Sequence, residues 1–288
     1  MNYRNVFHAG NYGDVFKHTL LVMLWRALQQ KEKGLLYLDT HAGRGAYNLR
    51  AAPAPGRADR PPEWPDGIGR LWGAGGLPPP LADYVALVRG FNERAGAPRG
   101  ELRYYPGSPW LAVLARRPQD RLVFWENQPA EVAALRADFA RRRRVSVECG
   151  DGYAALRAAL PPPERRALVL IDPPFEATDE FDAVLGALRE GLARFASGVY
   201  AVWYPVTERV RTEAFQRALL ALRPPPTLWA ELAVTGDPRV RMKGCGLLVI
   251  NPPWRFADAL QALLPVLAKR LRVDAGAAAR GGWLVPEA

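Results

Sequence analysis

Short apolar runs alternate with amphipathic segments along most of the chain. Between residues 16 and 28 the apolar positions recur with a helical period, which predicts a first helix that begins at Asp14 and ends at Gly34. The run 35–38 that follows is short, continuous and apolar, and it stops at Asp39. This pattern is typical of a buried strand that ends in a polar turn.

The same alternation continues through the middle of the chain. Strands are predicted at 122–125, 145–148, 168–171 and 199–203. Helices with the length and spacing of crossover connections are predicted at 131–143, 152–160, 180–195 and 208–222. Because βαβ units with right-handed crossovers require parallel strands, the pattern predicts a doubly wound α/β sheet with helices on both faces.

The last two predicted strands are connected differently. Segments 228–234 and 246–250 are joined by a short polar stretch without a helix, which predicts a hairpin and an antiparallel final strand. The sequence therefore predicts a Rossmann-like, seven-stranded, mostly parallel sheet whose last strand is antiparallel.

One segment interrupts this regular pattern. Residues 50–100 are punctuated by proline, and only 81–91 has the apolar spacing of a helix. We therefore predict a main domain made of 1–49 and 101–288, with 50–100 as an inserted helical subdomain.

Composition excludes several classes of protein. The 288 residues are 49% hydrophobic and 24% charged, as in ordinary globular proteins rather than disordered ones. No apolar run approaches the ~20 residues needed to cross a bilayer, and no secretion signal is visible. The only two cysteines, Cys149 and Cys245, lie in apolar stretches, so we expect small core residues, no disulfide framework and a cytoplasmic location.

The net charge of +10 comes almost entirely from arginine, because only five of the 39 basic residues are lysine. Arginine binds phosphate in a bidentate manner and stacks on bases, which favours a polyanionic partner such as nucleic acid. An equally good explanation is a G+C-rich genome, since alanine, glycine and proline are also abundant. Composition alone leaves both explanations open.

Acidic residues follow four of the predicted parallel strands, namely Asp39, Glu126, Asp151 and Asp172. Ligands of open α/β sheets bind outside the carboxyl ends of the strands, so these acids are expected to face one pocket. A carboxylate such as that of Glu126 can accept hydrogen bonds from both hydroxyls of a ribose. The glycine-containing turn after Asp39 would let the backbone approach the same ligand. The alternative is that each acid merely caps the helix that follows it.

The sharpest motif is Asp172-Pro173-Pro174-Phe175, directly after the fourth strand. An amino group conjugated to a ring, such as N6 of adenine, is a poor nucleophile because its lone pair is delocalised. Two acceptors, the Asp172 carboxylate and the Pro173 carbonyl, can hold both N–H bonds and free that lone pair, and Asp172 can take up the released proton. Phe175 can stack on a base turned into the pocket. The motif therefore indicates transfer to a planar amino group.

A second, similar motif has a different expected role. Asn251-Pro252-Pro253-Trp254 follows the final strand, which is predicted to be antiparallel. Its tip should therefore lie at the opposite edge of the sheet from the ligand, and we expect a structural role. If that strand were parallel instead, the two motifs would compete for the catalytic assignment.

All three histidines, His8, His18 and His41, lie near the start of the chain. No cysteine pair or ligand spacing accompanies them, so no metal site is predicted. We expect instead that His18 and His41 line the ligand pocket. In the hairpin connection, basic residues are placed to hold the backbone of a polyanionic substrate, namely Arg239, Arg241 and Lys243.

Several short motifs are spread along the chain. They are NYR at 2–4, FHAGN at 7–11, DVFKH at 14–18, LDTHAG at 38–43, RYYPGSP at 103–109, IDPPFE at 171–176, WYP at 203–205 and INPPW at 250–254. Together, and in this order, they resemble the bacterial 23S ribosomal RNA adenine-N6 methyltransferases of the J type over nearly the whole chain. The resemblance implies a class I methyltransferase fold, S-adenosylmethionine as methyl donor and 23S ribosomal RNA as substrate.

The resemblance also assigns individual residues. Those implied to bind S-adenosylmethionine are His18, His41, Ser108, Glu126, Asp151, Gly152 and Asp172. It also implies that Asp172 is the proton acceptor and that Tyr3 lies near the substrate adenine. The chemistry of the DPPF motif adds Pro173 and Phe175 to the expected catalytic residues, and Phe175 to the substrate contacts. Phe175 stands where the family also uses tyrosine, so this chain keeps the ring and lacks the hydroxyl.

Three other functions stay open. The DPPF chemistry also suits N6 of adenine in DNA or the side-chain amide nitrogen of a protein glutamine. A protein that binds nucleic acid on the same scaffold without catalysis is the third alternative, although the intact acids at all four strand ends argue against it. We expect a monomer that acts in the cytoplasm without a metal or a membrane.

Overall fold

A computed structural model describes residues 5–51 and 61–287 of the chain. The α-helices are α1 (Asn5–His8), α2 (Tyr12–Leu28), α3 (Gly69–Trp72), α4 (Pro79–Arg94), α5 (Ser108–Ala115), α6 (Pro129–Phe139), α7 (Ala154–Ala159), α8 (Glu180–Arg194), α9 (Arg209–Ala221) and α10 (Phe256–Leu271). The strands are β1 (Leu36–Asp39), β2 (Ala46–Asn48), β3 (Tyr104–Pro106), β4 (Arg121–Glu126), β5 (Val145–Cys149), β6 (Ala167–Ile171), β7 (Val199–Val206), β8 (Thr227–Ala233), β9 (Gly244–Ile250) and β10 (Ala278–Val285).

The main sheet has the strand order β10-β8-β9-β7-β6-β1-β4-β5. Strands β5, β4, β1, β6 and β7 are parallel, whereas β9 is antiparallel to both of its neighbours, β7 and β8. The predicted mixed α/β class, the mostly parallel sheet and the antiparallel hairpin are thereby confirmed. A separate two-stranded sheet pairs β2 with β3.

The predicted number of strands is wrong, because the main sheet has eight strands rather than seven. The additional strand, β10, is antiparallel to β8 at the edge of the sheet. Its sequence, AARGGWLV, has neither a continuous apolar run nor a clean alternation, and two adjacent glycines interrupt it. It forms a strand because the edge of β8 supplies hydrogen-bonding partners, a tertiary effect that local pattern does not reveal.

The central strands are apolar on both faces because helices cover the sheet on both sides. In β1, Tyr37 packs in one core with α2, α4, α5 and α10, while Leu36 and Leu38 pack in the other with α7, α8 and α9. In β6, Leu168 and Leu170 face the first core and Val169 faces the second. A continuous apolar run is what a parallel strand buried on both faces requires.

Helix α2 begins at Tyr12, two residues before the predicted start. The Asn11 side chain accepts a hydrogen bond from the backbone N–H of Asp14 at 3.0 Å and caps the helix. The helix ends at Leu28, short of Gly34. Because α4, α5, α10 and β9 pack around it, α2 is buried on nearly all sides, and the polar residues in its middle lie in the interior.

The described part of the proline-rich segment contains a 3-10 helix at Trp64–Asp66 followed by α3 and α4. Helix α4 contains the predicted helix 81–91 and packs against α2, α5 and β3. Its apolar residues belong to the same core cluster as α2, and residues 52–60 lie outside the described part. The division of the chain into a main domain and a subdomain stays a prediction.

The two cysteines differ from the expectation in part. Cys245 is buried as expected, but Cys149 is exposed at the end of the outermost strand, β5. Neither forms a disulfide. Among the helices of the described residues, none is both long enough and apolar enough to cross a bilayer.

Asn251 directly follows β9 at the edge of the sheet where β7 begins, as predicted from the antiparallel orientation. Its side-chain amide donates hydrogen bonds to the carbonyl oxygens of Ala196 at 2.7 Å and Gly198 at 2.8 Å. Its own φ is +53°, in the left-handed region that asparagine tolerates better than most residues. The NPPW motif thus ties two strand ends together.

Replacing this residue should therefore destabilise the fold. We expect Asn251→Ala to lower the free energy of unfolding by about 2 to 3 kcal/mol, because it removes two hydrogen bonds and places alanine at a positive φ. Asn251→Gly removes the same bonds without the backbone penalty and should cost less. Urea unfolding of the three proteins measures both effects, and equal midpoints would show that the amide contributes nothing.

Candidate active site

Four acidic residues lie at the same edge of the sheet. Asp39 ends β1 and Glu126 ends β4, while Asp151 and Asp172 follow β5 and β6. These four strands are parallel, so their carboxyl ends meet at one edge. The structure thus brings together the four acids that the sequence singled out.

Lys17 of α2 links this edge to the helix. Its Nζ contacts Oδ1 of Asp14 at 2.9 Å and Oδ2 of Asp172 at 2.5 Å. Burial alone would lower the pKa of Lys17, but the two carboxylates raise it well above its usual value, so the ammonium stays charged. Asp14 also accepts the backbone N–H of Gly10 at 2.9 Å, which fixes it at the start of α2.

The pKa values of the two carboxyl groups that contact Lys17 are shifted in opposite directions. Burial raises the pKa of Asp172, and the charge of Lys17 offsets this effect only in part. Burial also acts to raise the pKa of Asp14, but Lys17 and His18 outweigh it and hold that pKa below its ordinary value. Of the pair, Asp172 is therefore the better proton acceptor near neutral pH.

Asp39 is fully buried. It accepts hydrogen bonds from the hydroxyl of Tyr37 at 3.0 Å, from the backbone N–H of His41 at 3.3 Å and from the side chain of Ser108. Burial raises its pKa to about 6, more than these hydrogen bonds lower it, and the nearby charge of Asp172 acts in the same direction as burial. Ser108 is itself buried at the first turn of α5.

His18 lies one residue beyond Lys17 and is 2% exposed. Its Nδ1 is 2.7 Å from the hydroxyl of Tyr105. Burial, together with the charge of Lys17, lowers the pKa of His18 to about 3 although Asp14 acts to raise it, so the ring is neutral at pH 7.

The turn after β1 is hydrogen-bonded to the last residue of the neighbouring strand, β4. The backbone N–H of Gly43 donates to Oε2 of Glu126 at 2.9 Å, while Oε1 accepts the N–H of Gln128 at 2.8 Å. Gly43 has a φ of +62°, which glycine adopts without strain. These two hydrogen bonds hold the Glu126 carboxylate in one orientation, between the turn after β1 and the start of the loop after β4.

His41 lies in this turn and connects it to the loop after β5. Its Nδ1 is 2.8 Å from the hydroxyl of Thr40, and its ring packs edge-on against Tyr153 with the ring centres 4.9 Å apart. Burial lowers the pKa of His41 to about 4, although the charge of Asp151 acts to raise it. This ring is also neutral at pH 7.

Gly152 is a position that no other residue can fill without movement of the backbone. A Cβ at this position would lie 1.9 Å from the carbonyl oxygen of Thr40. The loops after β1 and β5 are therefore in direct backbone contact. The neighbouring Asp151 is exposed, and its Oδ1 accepts the N–H of Tyr153 at 2.9 Å.

The DPPF motif turns sharply after β6. Pro173 is buried, and Phe175 has a φ of +49°, an uncommon conformation for an aromatic residue. The Phe175 ring is half-buried, with its centre 4.9 Å from that of Phe181 and 5.9 Å from that of Trp203. The Lys17 Nζ lies 6.0 Å from the centre of the Trp203 ring, so this aromatic group is adjacent to the ion pair of Lys17 and Asp172.

Other sequence-predicted residues are not brought to this cluster. Tyr3 lies outside the described residues. His8 contacts Glu63, away from His18 and His41, and within 5–51 and 61–287 no three metal-binding side chains come together. Asn251 lies at the opposite edge of the sheet, as expected.

Lys17 and Asp14 are parts of this site that the sequence did not single out. The available signal was a lysine near the start of a mostly apolar helix, three residues after an acid. Such a pair is an ordinary surface feature of helices. Both side chains are seen to be interior only because α2 is buried and because Lys17 contacts Asp172, 155 residues away along the chain.

The strand order, the antiparallel β9, the glycine turn after β1 and the acids at the carboxyl edge define the class I methyltransferase fold. The chain belongs to the family described as Ribosomal RNA large subunit methyltransferase D, RlmJ, whose family model matches residues 32–285. The predicted family is thereby confirmed, and the chain is a methyltransferase.

Individual relatives agree with this assignment. The chain is 43% identical to the Ribosomal RNA large subunit methyltransferase J of Escherichia coli K12 and 41% identical to the protein of the same name from Haemophilus influenzae, over 100% of each chain. It also resembles the crystal structure of a Legionella pneumophila protein, with a TM-score of 0.84 and 34% identity. That alignment covers 96% of this chain and 97% of the other.

The contribution of the buried Asp39 to the free energy of unfolding should be smaller at neutral pH than at low pH. Its pKa of about 6 exceeds the ordinary 3.8, so the folded chain binds this proton more tightly than the unfolded chain. The stabilising contribution is full below about pH 4 and is lost as the pH rises through 6. Asp39→Asn, which resembles the protonated acid, should therefore gain stability relative to the native chain, by up to about 3 kcal/mol at pH 7.

Urea unfolding at pH 4 and pH 7.5 measures this gain. Asp151→Asn, an exposed position at the same edge, is the matched control and should show no comparable pH-dependent gain. An Asp39→Asn variant with the same stability difference at both pH values would contradict the assignment.

Proposed function

We propose that this protein transfers a methyl group from S-adenosylmethionine to N6 of an adenine in 23S ribosomal RNA. The observation that carries the proposal is the position of Asp172: it opens a DPPF turn at the carboxyl end of β6, is largely buried, and contacts Lys17. Family membership supports a large-subunit ribosomal RNA as the substrate.

The charges of the site fit the proposed methyl donor. Asp14 and Asp172 contact the ammonium of Lys17, and the charges of Lys17 and Asp172 both act on the buried Asp39, so three carboxyl groups lie around one ammonium and negative charge is in excess. S-adenosylmethionine has a sulfonium and an α-ammonium group, and both are positive. The excess charge would stabilise such a ligand in a partly buried site.

The residues proposed to hold the donor lie around this charge. We assign Glu126 to the ribose hydroxyls, since its two carboxylate oxygens accept one backbone N–H each and retain lone pairs. The contact between Gly152 and Thr40 keeps the two adjoining loops close together. The proposed set is His18, His41, Ser108, Glu126, Asp151, Gly152 and Asp172.

When bound, S-adenosylmethionine supplies an electrophilic methyl carbon on a good leaving group. The work of the protein is to present the amino nitrogen to it in line, so positioning supplies most of the catalysis. Lys17 donates a hydrogen bond to Oδ2 of Asp172, whereas Oδ1 accepts none from the described residues. We assign Oδ1 and the Pro173 carbonyl oxygen to the two N6 hydrogens.

Asp172 then receives the proton that the methylated nitrogen loses. Burial raises the pKa of this carboxyl, which makes it a stronger base, while Lys17 keeps it ionised before the reaction. In this scheme Lys17 orients Asp172 and sets its charge. Phe175 and Trp203 border the position of the base, and Tyr3, outside the described residues, is assigned to the same adenine by family resemblance alone.

Basic residues of the β8–β9 connection lie at the same edge. Strand β8 runs parallel to β7, so its carboxyl end and the loop after it lie on the side of the active site. Tyr12 donates a hydrogen bond from its hydroxyl to the Met242 carbonyl at 3.3 Å, which ties this loop to the start of α2. We assign the exposed Arg239 and Arg241 to contacts with RNA phosphates, for which Arg239 would exchange its contact with Asp237. A ribosomal RNA substrate places the reaction in the bacterial cytoplasm.

Removing the proposed base should stop the reaction. We expect Asp172→Asn to lower the rate of methyl transfer by at least about 10²-fold, because the amide cannot accept the proton. The exposed Asp182→Asn is a matched control and should keep the native rate. Single-turnover transfer of labelled methyl groups measures the rate, thermal unfolding verifies that the variant is folded, and a native rate in Asp172→Asn would refute the role.

The nature of the acceptor is tested by a direct comparison. We expect labelled methyl groups to appear in naked 23S ribosomal RNA as N6-methyladenine, identified after nuclease digestion by mass spectrometry. Duplex DNA and a release factor, which offer an adenine amino group and a glutamine amide, should accept none. Transfer to either of these and not to RNA would replace the proposed substrate, and absence of S-adenosylmethionine binding would favour a non-catalytic protein.

A further inference from the structure

A buried chain of hydrogen bonds runs from the proline-rich segment to the active site. The hydroxyl of Tyr84, in α4, is 2.9 Å from the hydroxyl of Tyr105, in β3. That hydroxyl in turn is 2.7 Å from Nδ1 of His18, in α2. All three side chains are at most 2% exposed, so the chain of bonds is screened from solvent.

Only one direction of this chain satisfies every proton. If Tyr84 donates to Tyr105 and Tyr105 donates to His18, both hydroxyl protons are bonded and Nδ1 is the acceptor. In the opposite direction Nδ1–H donates to Tyr105, Tyr105 donates to Tyr84, and the Tyr84 proton has no further acceptor among the described residues. A buried donor without an acceptor is costly, so the first direction is favoured.

The other ring nitrogen supports the same direction. His18 Nε2 lies 4.0 Å from Oδ1 of Asp14, too far for a hydrogen bond but close enough for a strong electrostatic effect. A proton on Nε2 faces the carboxylate favourably, whereas a lone pair there would face another negative group. The ring is neutral, so it carries one proton, and that proton belongs on Nε2.

We propose that Tyr84 and Tyr105 are positioning residues that hold His18 in the tautomer with its proton on Nε2, so that the ring presents a hydrogen-bond donor to the bound methyl donor. This inference rests on the proposed function, because it assigns the acceptor to S-adenosylmethionine. The strongest acceptor in that molecule is its carboxylate. The hydrogen-bond chain thus makes a residue of the proline-rich segment part of the binding of the donor.

The tautomer is measurable without any ligand. The chain has three histidines, so a protein labelled with ¹⁵N-histidine gives three sets of ring signals, and His18→Gln identifies those of residue 18. We expect native His18 to show a protonated Nε2 and an unprotonated Nδ1. Tyr105→Phe removes the donor to Nδ1 and should give a mixture of tautomers. A native His18 with its proton on Nδ1 would overturn the proposal.

Calorimetric titration with S-adenosylmethionine tests the consequence for binding. We expect the dissociation constant to rise about 10-fold in Tyr105→Phe and about 3-fold in Tyr84→Phe, because the hydrogen bond to the donor is partly lost. Tyr200→Phe is the matched control: its buried hydroxyl donates to Gly191 and Phe195, in the other core. It should alter the melting temperature and leave the dissociation constant unchanged.

A double-mutant cycle separates positioning from a general structural effect. If the tyrosines act through the histidine, Tyr105→Phe should change the dissociation constant less than about 2-fold in a His18→Gln background. An undiminished effect in that background would overturn the proposal. If Tyr105→Phe does not fold, Tyr84→Phe in the same cycle and the tautomer of the native protein decide the matter.

The same titration distinguishes this proposal from the proposed function. A native protein that does not bind S-adenosylmethionine refutes the function, whatever the tautomer. If the native protein binds S-adenosylmethionine, and Tyr84→Phe and Tyr105→Phe bind it with the same dissociation constant, only the role of the two tyrosines is refuted.

Discussion

The ammonium of Lys17 is shared between two carboxylates from distant parts of the chain, and the proposed active site is arranged around this contact. Asp14 belongs to the same helix, whereas Asp172 follows β6. Taking three charges out of water is expensive, and breaking such a group by removing one member leaves an uncompensated charge. The packing of α2 over the strand ends is therefore fixed by electrostatics as well as by apolar contacts. Both the base proposed for catalysis and the neutral His18 depend on this packing.

The sequence was sufficient to predict the elements whose pattern reflects burial on both faces. Strands β1 and β6 are continuous apolar runs, and each ends in or just before an acid that lies at the site. The antiparallel β9, and with it the position of Asn251, followed from a connection too short for a crossover. In contrast, β10 was missed because its glycine-rich sequence becomes a strand only against β8.

The parts of the site that escaped prediction are those that need contacts across long sequence separations. Lys17 has the appearance of a surface residue until α2 is seen to be enclosed on nearly all sides. Tyr105 is interpretable as packing alone until its hydroxyl is found between Tyr84 and His18. Residue types along a chain indicate which chemistry is available, whereas the pairing of donors and acceptors is a property of the folded molecule.

The position of β10 determines which strand forms the border of the sheet. Without it, β8 would present a row of unpaired amides at the border of the sheet, the kind of surface on which other chains aggregate. Strand β10 pairs with these amides and becomes the edge of the sheet. Its Arg280 contacts Glu231 of β8, so the new edge strand carries a charged side chain. A segment far from the proposed site thus covers the edge of β8, and removing residues 278–285 would expose the backbone amides of β8.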